Sequence, residues 1–174
     1  MTSLAKQLKF GLDKTRVGVI LYGDYARLAA RFNVVKNAEN LRRLLDGIAR
    51  LQGGRRIDRA LVRAAQLFGE SRPNVRRILV LLTNGRHTSN SENPFRDAVQ
   101  RLETKGVDRF VVAIGPIPDP ELTVVAERED VIPVRSFDSL QWQVTQIAKH
   151  ILKGWLYHLY NLKPCISNCN SNEP

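Results

Sequence analysis

Residues 78–90, ILVLLTNGRHTSN, contain the transition that decides the fold. An aliphatic run ends abruptly in Thr83-Asn84-Gly85, which is typical of a buried parallel strand that delivers a functional loop at its carboxyl end. The loop begins with an amide, which donates and accepts hydrogen bonds but carries no charge, whereas a carboxylate there would indicate a metal ligand or a catalytic acid. The stretch therefore predicts a parallel α/β sheet and makes the role of Asn84 the first question about function.

Outward from this strand, helices and strands alternate along the chain. Short apolar runs at 15–24 and 26–33 are joined by a Gly-Asp pair, which predicts an antiparallel hairpin. Further strands are predicted at 107–115 and at 131–134, where the proline of VIPV suits an edge strand. Apolar residues at helical spacing predict helices at 2–13, 38–51, 55–70, 93–106, 119–129 and 137–160. The fold class is therefore α/β, Rossmann-like and doubly wound, with a mostly parallel central sheet, one antiparallel edge hairpin and helices on both faces.

The composition is that of one globular domain. With 174 residues and 43% hydrophobic content, the chain can hide roughly 70% of its unfolded surface. It contains no uncharged apolar stretch of about 18 residues, so membrane insertion is not expected. The start, MTSLAKQLKFGLDK, is interrupted by lysines where a secretion signal needs a continuous apolar run, so no targeting segment is visible.

The positive charge is concentrated in one segment. Twenty-seven Lys and Arg against seventeen Asp and Glu give +10, and between Arg42 and Arg63 seven arginines face two aspartates, which supplies +5 of that total. Guanidinium groups bind sulfate, phosphate and carboxylate through two oxygens at once. The segment is either a polyanion-binding patch or a solvated helix face. The candidate patch comprises Arg42, Arg43, Arg56, Arg59 and Arg63.

The remaining patterns do not indicate catalysis. His87, His150 and His158 lack the spacing of a zinc site, and no phosphate loop, nucleophile elbow or dinucleotide-binding turn is present in the sequence. We expect no catalytic residues and no enzymatic activity. The aromatic residues of the last helix, Trp142 among them, fit core packing and a wet helix end better than base stacking, so nucleic acid is not an expected partner. The two cysteines, at positions 165 and 169, either pair with each other, pair with a following module or stay free.

Six segments, in their order and spacing, resemble the von Willebrand factor A domain of the extracellular-matrix kind found in collagen VI and matrilins. They are TRVGVILYGDYARLAARFN, a Leu-rich helix closed by GGRR, ALVRAAQLF, RRILVLLTNGR, VDRFVVAIG and VIPVRSFDSL. The resemblance covers residues 2–154 and implies a domain over 1–157, followed by a polar tail or the start of another module at 158–174. It implies an adhesion or matrix-binding module, which in many members holds a divalent cation in a metal-ion-dependent adhesion site.

That site departs from the family's pattern. The Asp-x-Ser-x-Ser of the family's first strand is absent, Arg55 stands where the resemblance places a threonine, and Asn84 stands where it places an aspartate. A hard divalent cation wants several oxygen ligands with compensating negative charge, so a guanidinium there disfavours it. We therefore expect a degenerate site with no metal ligands and no cofactor. Candidate ligand-binding residues are Gly53, Gly54, Arg55, Asn84, Gly85 and Arg86.

Two alternatives concern single residues at this site. Asn84 is also a good residue to cap the turn before Gly85, and this role is compatible with its place in a degenerate metal site. Asp58 could offer a replacement carboxylate, but an aspartate near a helix start is more often a partner of the helix dipole.

The missing first strand has a structural consequence. The resemblance places it at the centre of the sheet, between the strands at 15–22 and 77–83, so its absence implies two apolar strands that face an empty slot. Unpaired strand edges are templates for aggregation, so we expect a fragment or truncated product of marginal stability. On this hypothesis a signal peptide lies upstream, and the chain is extracellular as part of a larger parent protein.

Three functions are compatible with these observations. The leading hypothesis is a noncatalytic adhesion module that binds an extracellular-matrix or cell-surface protein, with collagen as one candidate partner. The second is binding of glycosaminoglycan, such as heparin, or of another polyanion through the arginine patch. The third is an intracellular scaffold of the same fold.

Overall fold

The computed structural model describes residues 8–49, 53–85, 93–115 and 120–161, without the side chains of 93, 94, 120, 141 and 152–161. The strands are β1 (Val17–Tyr22), β2 (Ala26–Val35), β3 (Arg77–Thr83), β4 (Val107–Ile114) and β5 (Val131–Val134). The α-helices are α1 (Ala38–Asp46), α2 (Ile57–Phe68), α3 (Asn93–Glu103) and α4 (Phe137–Asn161). Two 3₁₀ turns, Pro120–Val124 and Arg128–Asp130, precede β5.

The strands form two sheets. β1 and β2 pair in antiparallel orientation, which confirms the predicted hairpin. β3, β4 and β5 form a parallel sheet in that order, with Arg77 opposite Val107 at the start of the first pair. The proline of β5 lies at position 133 on an edge strand, where a missing backbone N–H is tolerated. The predicted Rossmann-like α/β architecture is confirmed.

Helices cover both faces of these sheets. The largest core cluster joins α2 and α3 to the inner residues of β3 and β4, together with Ile20 and Tyr22 of β1. A second cluster packs α4 against Phe110, Val112 and Ile114 of β4 and against alternate residues of β3. A third packs α1 against Val19 and other residues of the hairpin. Because successive side chains of a strand point to opposite faces, α1 and α2 lie on opposite faces of the hairpin.

A slot separates the two sheets. Among the residues that the structure describes, no strand pairs with the second edge of β1 or of β3. At one end of the slot the Arg72 guanidinium donates to the carbonyls of Leu12 and Lys14, just before β1. At the other end the Tyr22 hydroxyl donates to the Leu82 carbonyl at 2.8 Å. Arg72 also lies next to the start of β3, since its carbonyl accepts from Arg77. β1 and β3 therefore run in the same direction on either side of the slot, as the missing-strand hypothesis expected.

Three helix predictions need correction. The predicted helix at 2–13 falls partly outside the described residues, and its described part is a turn in which Phe10 bridges to Thr15. Gly11 interrupts the helical pattern there, and Leu12, expected on a buried face, is 77% exposed. The helix predicted at 38–51 ends at Asp46, because Gly47 caps it by donating to the carbonyls of Arg43 and Leu45.

The third correction concerns the helix predicted at 119–129, whose described part, from residue 120, contains the two short 3₁₀ turns Pro120–Val124 and Arg128–Asp130 instead of one continuous helix. The run Thr123-Val124-Val125 is β-branched and costs side-chain freedom in an α-helix. Trp142 is 85% exposed, so it does not pack in the core.

The last helix, α4, runs through residue 157 without a break and ends at Asn161. The division between domain and tail at residue 157 stays a prediction. None of the helices in the described part of the chain is long and apolar enough to span a bilayer.

Candidate functional site

Three loops meet at the carboxyl ends of β1 and β3. They are the hairpin turn at Gly23-Asp24, residues 53–56 before α2, and Asn84-Gly85 after β3. The Asp24 carboxylate accepts from the Gly54 amide at 2.5 Å, and the Arg56 amide donates to the Gly23 carbonyl at 2.9 Å. The hairpin turn therefore holds the loop that leads into α2.

Two glycines at this site are required by close approach. Gly53 has a φ of +100°, and a Cβ on it would lie 1.7 Å from the nearer Asp24 carboxylate oxygen. A Cβ on Gly85 would lie 2.8 Å from Nε of Arg55. A larger residue at position 53 would be strained at this φ and would displace Asp24, whereas one at position 85 would displace the Arg55 side chain.

Arg55 lies over the end of β3. Its Nε is 3.5 Å from Oδ1 of Asn84, and its guanidinium covers Gly85. The bond at the turn itself is made by Thr83, whose buried hydroxyl donates to the Gly85 carbonyl at 3.1 Å. The Asn84 oxygen therefore faces a cation, while Thr83 supplies the side-chain hydrogen bond that closes the turn.

Tyr22 lies beneath this cation. Burial raises the pKa of its phenol, while the neighbouring Thr83 hydroxyl and the nearby charge of Arg55 lower that pKa by less. The phenol therefore stays protonated at ordinary pH and donates to the Leu82 carbonyl. The effect of Arg55 on a buried group shows that its positive charge acts at the centre of the site.

The described residues do not fit a divalent cation. The oxygen of Asn84 is neutral, and the adjacent guanidinium is a fixed positive charge. The buried carboxylate of Asp58 is held by Arg56 through two bonds of 2.9 and 2.6 Å. Within the described ranges, no three His, Cys, Asp or Glu side chains are grouped as a metal site would require. Asp58 thus has the position expected of a partner of the helix dipole, in the first turn of α2.

The structure brings together most of the predicted ligand-binding residues. Gly53, Gly54, Arg55, Asn84 and Gly85 converge, whereas Arg86 lies outside the described residues. Their role in binding stays a prediction. The sequence patterns did not indicate that Asp24 and Tyr22 are members of the site. Asp24 gave only a turn signal, and the side chain of Tyr22 reaches a residue 60 positions away.

The arginines of the predicted patch are divided by the fold, and their role in polyanion binding stays a prediction. Arg42 and Arg43 belong to α1, whereas Arg59 and Arg63 belong to α2 on the opposite face of the hairpin, and Arg56 immediately precedes α2. The charge pattern could not reveal this, because local periodicity does not specify which sheet face a helix covers.

The two groups of arginines also differ in their partners. Arg42 pairs with Glu39 at 2.8 Å and with Asp46 at 2.7 Å, and Arg43 pairs with Glu39 at 3.1 Å. These two arginines hold the pKa of Glu39 at about 2. On α2, by contrast, Arg59 donates to the Asp24 carbonyl and Arg63 to the amide oxygen of Gln66, each at 2.9 Å. Within the described ranges, neither of the last two arginines forms a salt bridge with a carboxylate.

The described histidine is engaged in a polar contact. Nε2 of His150 is 3.0 Å from a carboxylate oxygen of Asp130, and its ring meets Phe110 edge-on. The side chains of His87 and His158 and both cysteines lie outside the described residues.

Comparison with known proteins places the chain in a family. The model of the von Willebrand factor type A domain matches residues 1–147. The chain is 27% identical over 155 residues to human vitrin, covering 87% of this chain and 22% of vitrin. It is 27% identical over 157 residues to the mouse collagen alpha-6(VI) chain, covering 87% of this chain and 7% of the collagen chain. The chain thus spans less than a quarter of the length of either relative.

Solved structures show the same fold. Proximal thread matrix protein 1 from the mussel byssus superposes with a TM-score of 0.76 at 22% identity, over 87% of this chain and 39% of that chain. A further structure of that protein is described as having a zinc-occupied MIDAS motif, and it superposes with a TM-score of 0.75 at 22% identity, over 86% and 38% of the two chains.

Proposed function

Because the chain belongs to the von Willebrand factor type A family, we propose that it is a noncatalytic, protein-binding module of a matrix or cell-surface protein. In this proposal the partner binds at the carboxyl ends of β1 and β3 without a divalent cation. The names of the relatives support the setting, since one is a collagen chain and another a byssal thread matrix protein. We place the protein outside the cell on the same ground.

The observation that carries the proposal is the Arg55 guanidinium over Asn84 and Gly85. A guanidinium offers a planar pair of donors that matches a carboxylate, and such charge-assisted bonds are stronger than neutral ones. Arg55 is exposed, so an acidic side chain of a partner can approach it from solvent. In this proposal the Arg55 guanidinium binds the partner's acidic side chain, which a metal ion would bind in family members that have the oxygen ligands.

The test measures binding of the chain to a panel of purified collagens, with and without EDTA. Binding should be unchanged by the chelator and should fall roughly tenfold or more in Arg55→Gln, because a hydrogen bond to a charged group contributes about 1.5–3 kcal/mol. Arg63→Gln is a matched control on the next helix and should bind like the wild type. Binding that is abolished by EDTA, or kept in full by Arg55→Gln, would contradict the proposal.

A second function, polyanion binding, is favoured by the partners of Arg59 and Arg63. Both donate to neutral oxygens and lie one turn apart on α2, so sulfate groups can still find unneutralised charge there. We propose that this half alone of the predicted patch binds heparin, because Arg42 and Arg43 are paired with carboxylates.

Heparin chromatography separates the two halves of the patch. The double variant Arg59→Glu/Arg63→Glu should elute at clearly lower salt, while Arg42→Glu/Arg43→Glu should elute close to the wild type. The retained fraction should vanish at high salt, since the Debye length falls from about 10 Å at 0.1 M to about 3 Å at 1 M. Equal loss in the two variants would indicate a response to net charge and would overturn this assignment.

A further inference from the structure

Asn84 and Gly85 form the only asparagine-glycine pair in the sequence. In such a pair the backbone nitrogen of the glycine follows directly on the asparagine, and the missing Cβ leaves that nitrogen room to approach the side-chain amide. Each of the other asparagines is followed by a residue that carries a Cβ. Asn84 is therefore the asparagine of this chain whose side-chain amide is most open to attack by its own backbone.

The turn after β3 keeps the attacking nitrogen available. The Thr83 hydroxyl holds Gly85 through its carbonyl, at 3.1 Å. Among the hydrogen bonds between described residues, none engages the backbone N–H of Gly85. Asn84 is exposed, so solvent reaches the pair. The nucleophile, the amide carbon and the water that a deamidation consumes are therefore present together.

The Arg55 guanidinium lies where negative charge would develop. Its Nε is 3.5 Å from Oδ1 of Asn84, which is longer than an ordinary N–H···O bond. Attack on the amide carbon moves electrons onto this oxygen, and a donor held nearby then stabilises the developing charge. The same residue accounts for the glycine, because a Cβ on Gly85 would lie 2.8 Å from Nε of Arg55. The contact that places Arg55 over the turn thus requires the residue that makes Asn84 reactive.

We propose that Asn84 is a site of spontaneous deamidation, and that the carboxylate formed there pairs with Arg55 and switches off the loop site. The reaction needs only this chain and water. Its effect on binding rests on the proposed function, in which Arg55 receives an acidic side chain of the partner.

The reaction is balanced without a cofactor. The Gly85 nitrogen loses its proton to a base in the solvent and forms a bond to Cγ of Asn84. The Cγ–Nδ2 bond breaks, and the amide nitrogen leaves as ammonia with a proton from water, which completes a succinimide ring. Water then adds to one of the two ring carbonyls and opens the ring to aspartate or isoaspartate. A neutral amide becomes a carboxylate, and nothing is oxidised or reduced.

The new carboxylate is formed beside a cation. A carboxylate and a guanidinium make a charge-assisted pair, so an acidic partner must then compete with an internal group for Arg55. Within the described ranges no three acidic, histidine or cysteine side chains are grouped as a metal site would require. The carboxylate therefore pairs with the guanidinium instead of a metal ion, and binding weakens progressively as the chain ages.

The first test follows the chemistry without a partner. The whole chain is incubated at pH 8.5, and mass spectrometry of the tryptic peptide 78–86 measures the conversion of the amide into an acid. Asn33 and Asn74, which are also exposed but precede valine, serve as controls in the same sample. We expect Asn84 to be converted while both controls remain intact. Conversion of Asn84 no faster than that of Asn33 or Asn74 would overturn the proposal.

Variants of the arginine test its part in the reaction. In Arg55→Gln the conversion of Asn84 should slow several-fold, whereas Arg63→Gln on α2 should convert at the wild-type rate. Equal rates in Arg55→Gln and the wild type would remove the guanidinium from the reaction and contradict the proposal. If Arg55→Gln does not fold, the internal controls of the first test and the pairing test below still decide the question.

Nuclear magnetic resonance of Asn84→Asp reads the pairing directly. The Nε–H signal of Arg55 should shift relative to that of the wild type, and the shift should reverse when the pH is lowered enough to protonate the carboxylate. An unshifted signal, or Mg²⁺ binding gained by Asn84→Asp, would show that the carboxylate does not pair with Arg55 and would overturn the switch.

The last test connects the modification to binding. Asn84→Asp and the aged wild-type chain should bind the collagen that the fresh chain binds best about tenfold more weakly, because an internal carboxylate then competes for the charge-assisted bond. Asn84→Gln lacks the spacing that closes the succinimide ring readily, so it should keep its affinity through the same incubation. If no collagen binds the fresh chain, the proposed function fails, while the first tests still decide conversion and pairing. If collagen binds and ageing leaves its affinity unchanged, the switch alone fails.

Discussion

The two sides of the slot differ in how much core supports them. The cluster that joins α2, α3, β3 and β4 contains sixteen buried residues, whereas the cluster beneath α1 on the hairpin contains four. Both regions consist of strands covered by amphipathic helices, but β2 is less aliphatic than β3, since it carries Arg27, Arg31 and Asn33. The number of paired strands adds to this difference, because each further strand adds a layer of side chains that the helices can cover. We infer that the hairpin and α1 open more readily than the parallel sheet.

The largest expected effect compares one residue type in the two regions. Val111 is fully buried in β4, and Val19 is buried in the small cluster of the hairpin. Val111→Ala should lower the free energy of unfolding by about 2–3 kcal/mol, since it removes two methyl groups and leaves a cavity that cannot collapse. Val19→Ala should cost about 1 kcal/mol, because the four-residue cluster can relax around it. Urea denaturation of both variants measures the difference, and equal losses would break the comparison.

How far sequence predicted this difference depends on the range of the interactions. The hairpin and the aliphatic strand before Asn84 were predicted correctly, because their signals are local. The slot was also expected, but only through the resemblance to a family. The opposite placement of α1 and α2 was not predicted, because the arginines show which helix face is polar but not which sheet face the helix covers. The same holds for Tyr22 and Asp24, whose partners are far along the chain.

A smaller effect is expected at the ion pair below α2. The Asp58 side chain is 5% exposed and its partner Arg56 27%, so the pair belongs to the well-supported region. Asp58→Asn should destabilise the chain by about 1–2 kcal/mol, less than the 3–5 kcal/mol of a fully buried pair, because solvent reaches Arg56. The matched test compares the melting temperature of Asp58→Asn with that of Asp46→Asn, whose substitution lies on α1. A greater loss from Asp46→Asn would reverse the ranking of the two regions.

The bridge between the regions is expected to contribute still less. Tyr22→Phe removes a hydrogen bond of 2.8 Å to the Leu82 carbonyl and should cost about 1 kcal/mol. Hydrogen exchange would locate the effect, since the loss should appear in β1 and β2 before it appears in β4. Uniform loss of protection in all five strands would mean that the two sheets open together and would contradict the independence of the hairpin.

The smallest effect concerns pH and the outer face of α1. The side-chain hydrogen bonds from Arg42 and Arg43 lower the pKa of Glu39 from 4.5 to about 2. A carboxylate with a lowered pKa stabilises the folded state above its unfolded pKa, and this contribution is lost as the pH falls from 4.5 through 2. Because the three side chains are about half exposed or more, solvent and salt screen the pairs and the effect should be small. The protection factors of the α1 amides, which compare each exchange rate with its intrinsic rate at the same pH, should be lower at pH 2 than at pH 5, and 1 M salt should remove most of that change. In Glu39→Gln the pH dependence of amide protection in α1 between pH 5 and pH 2 should disappear. Glu127→Gln, a substitution outside α1, should keep this pH dependence. If Glu39→Gln retains the full dependence, the fraying of α1 in acid has another cause, and the weakness of this region would have to be traced to its small core alone.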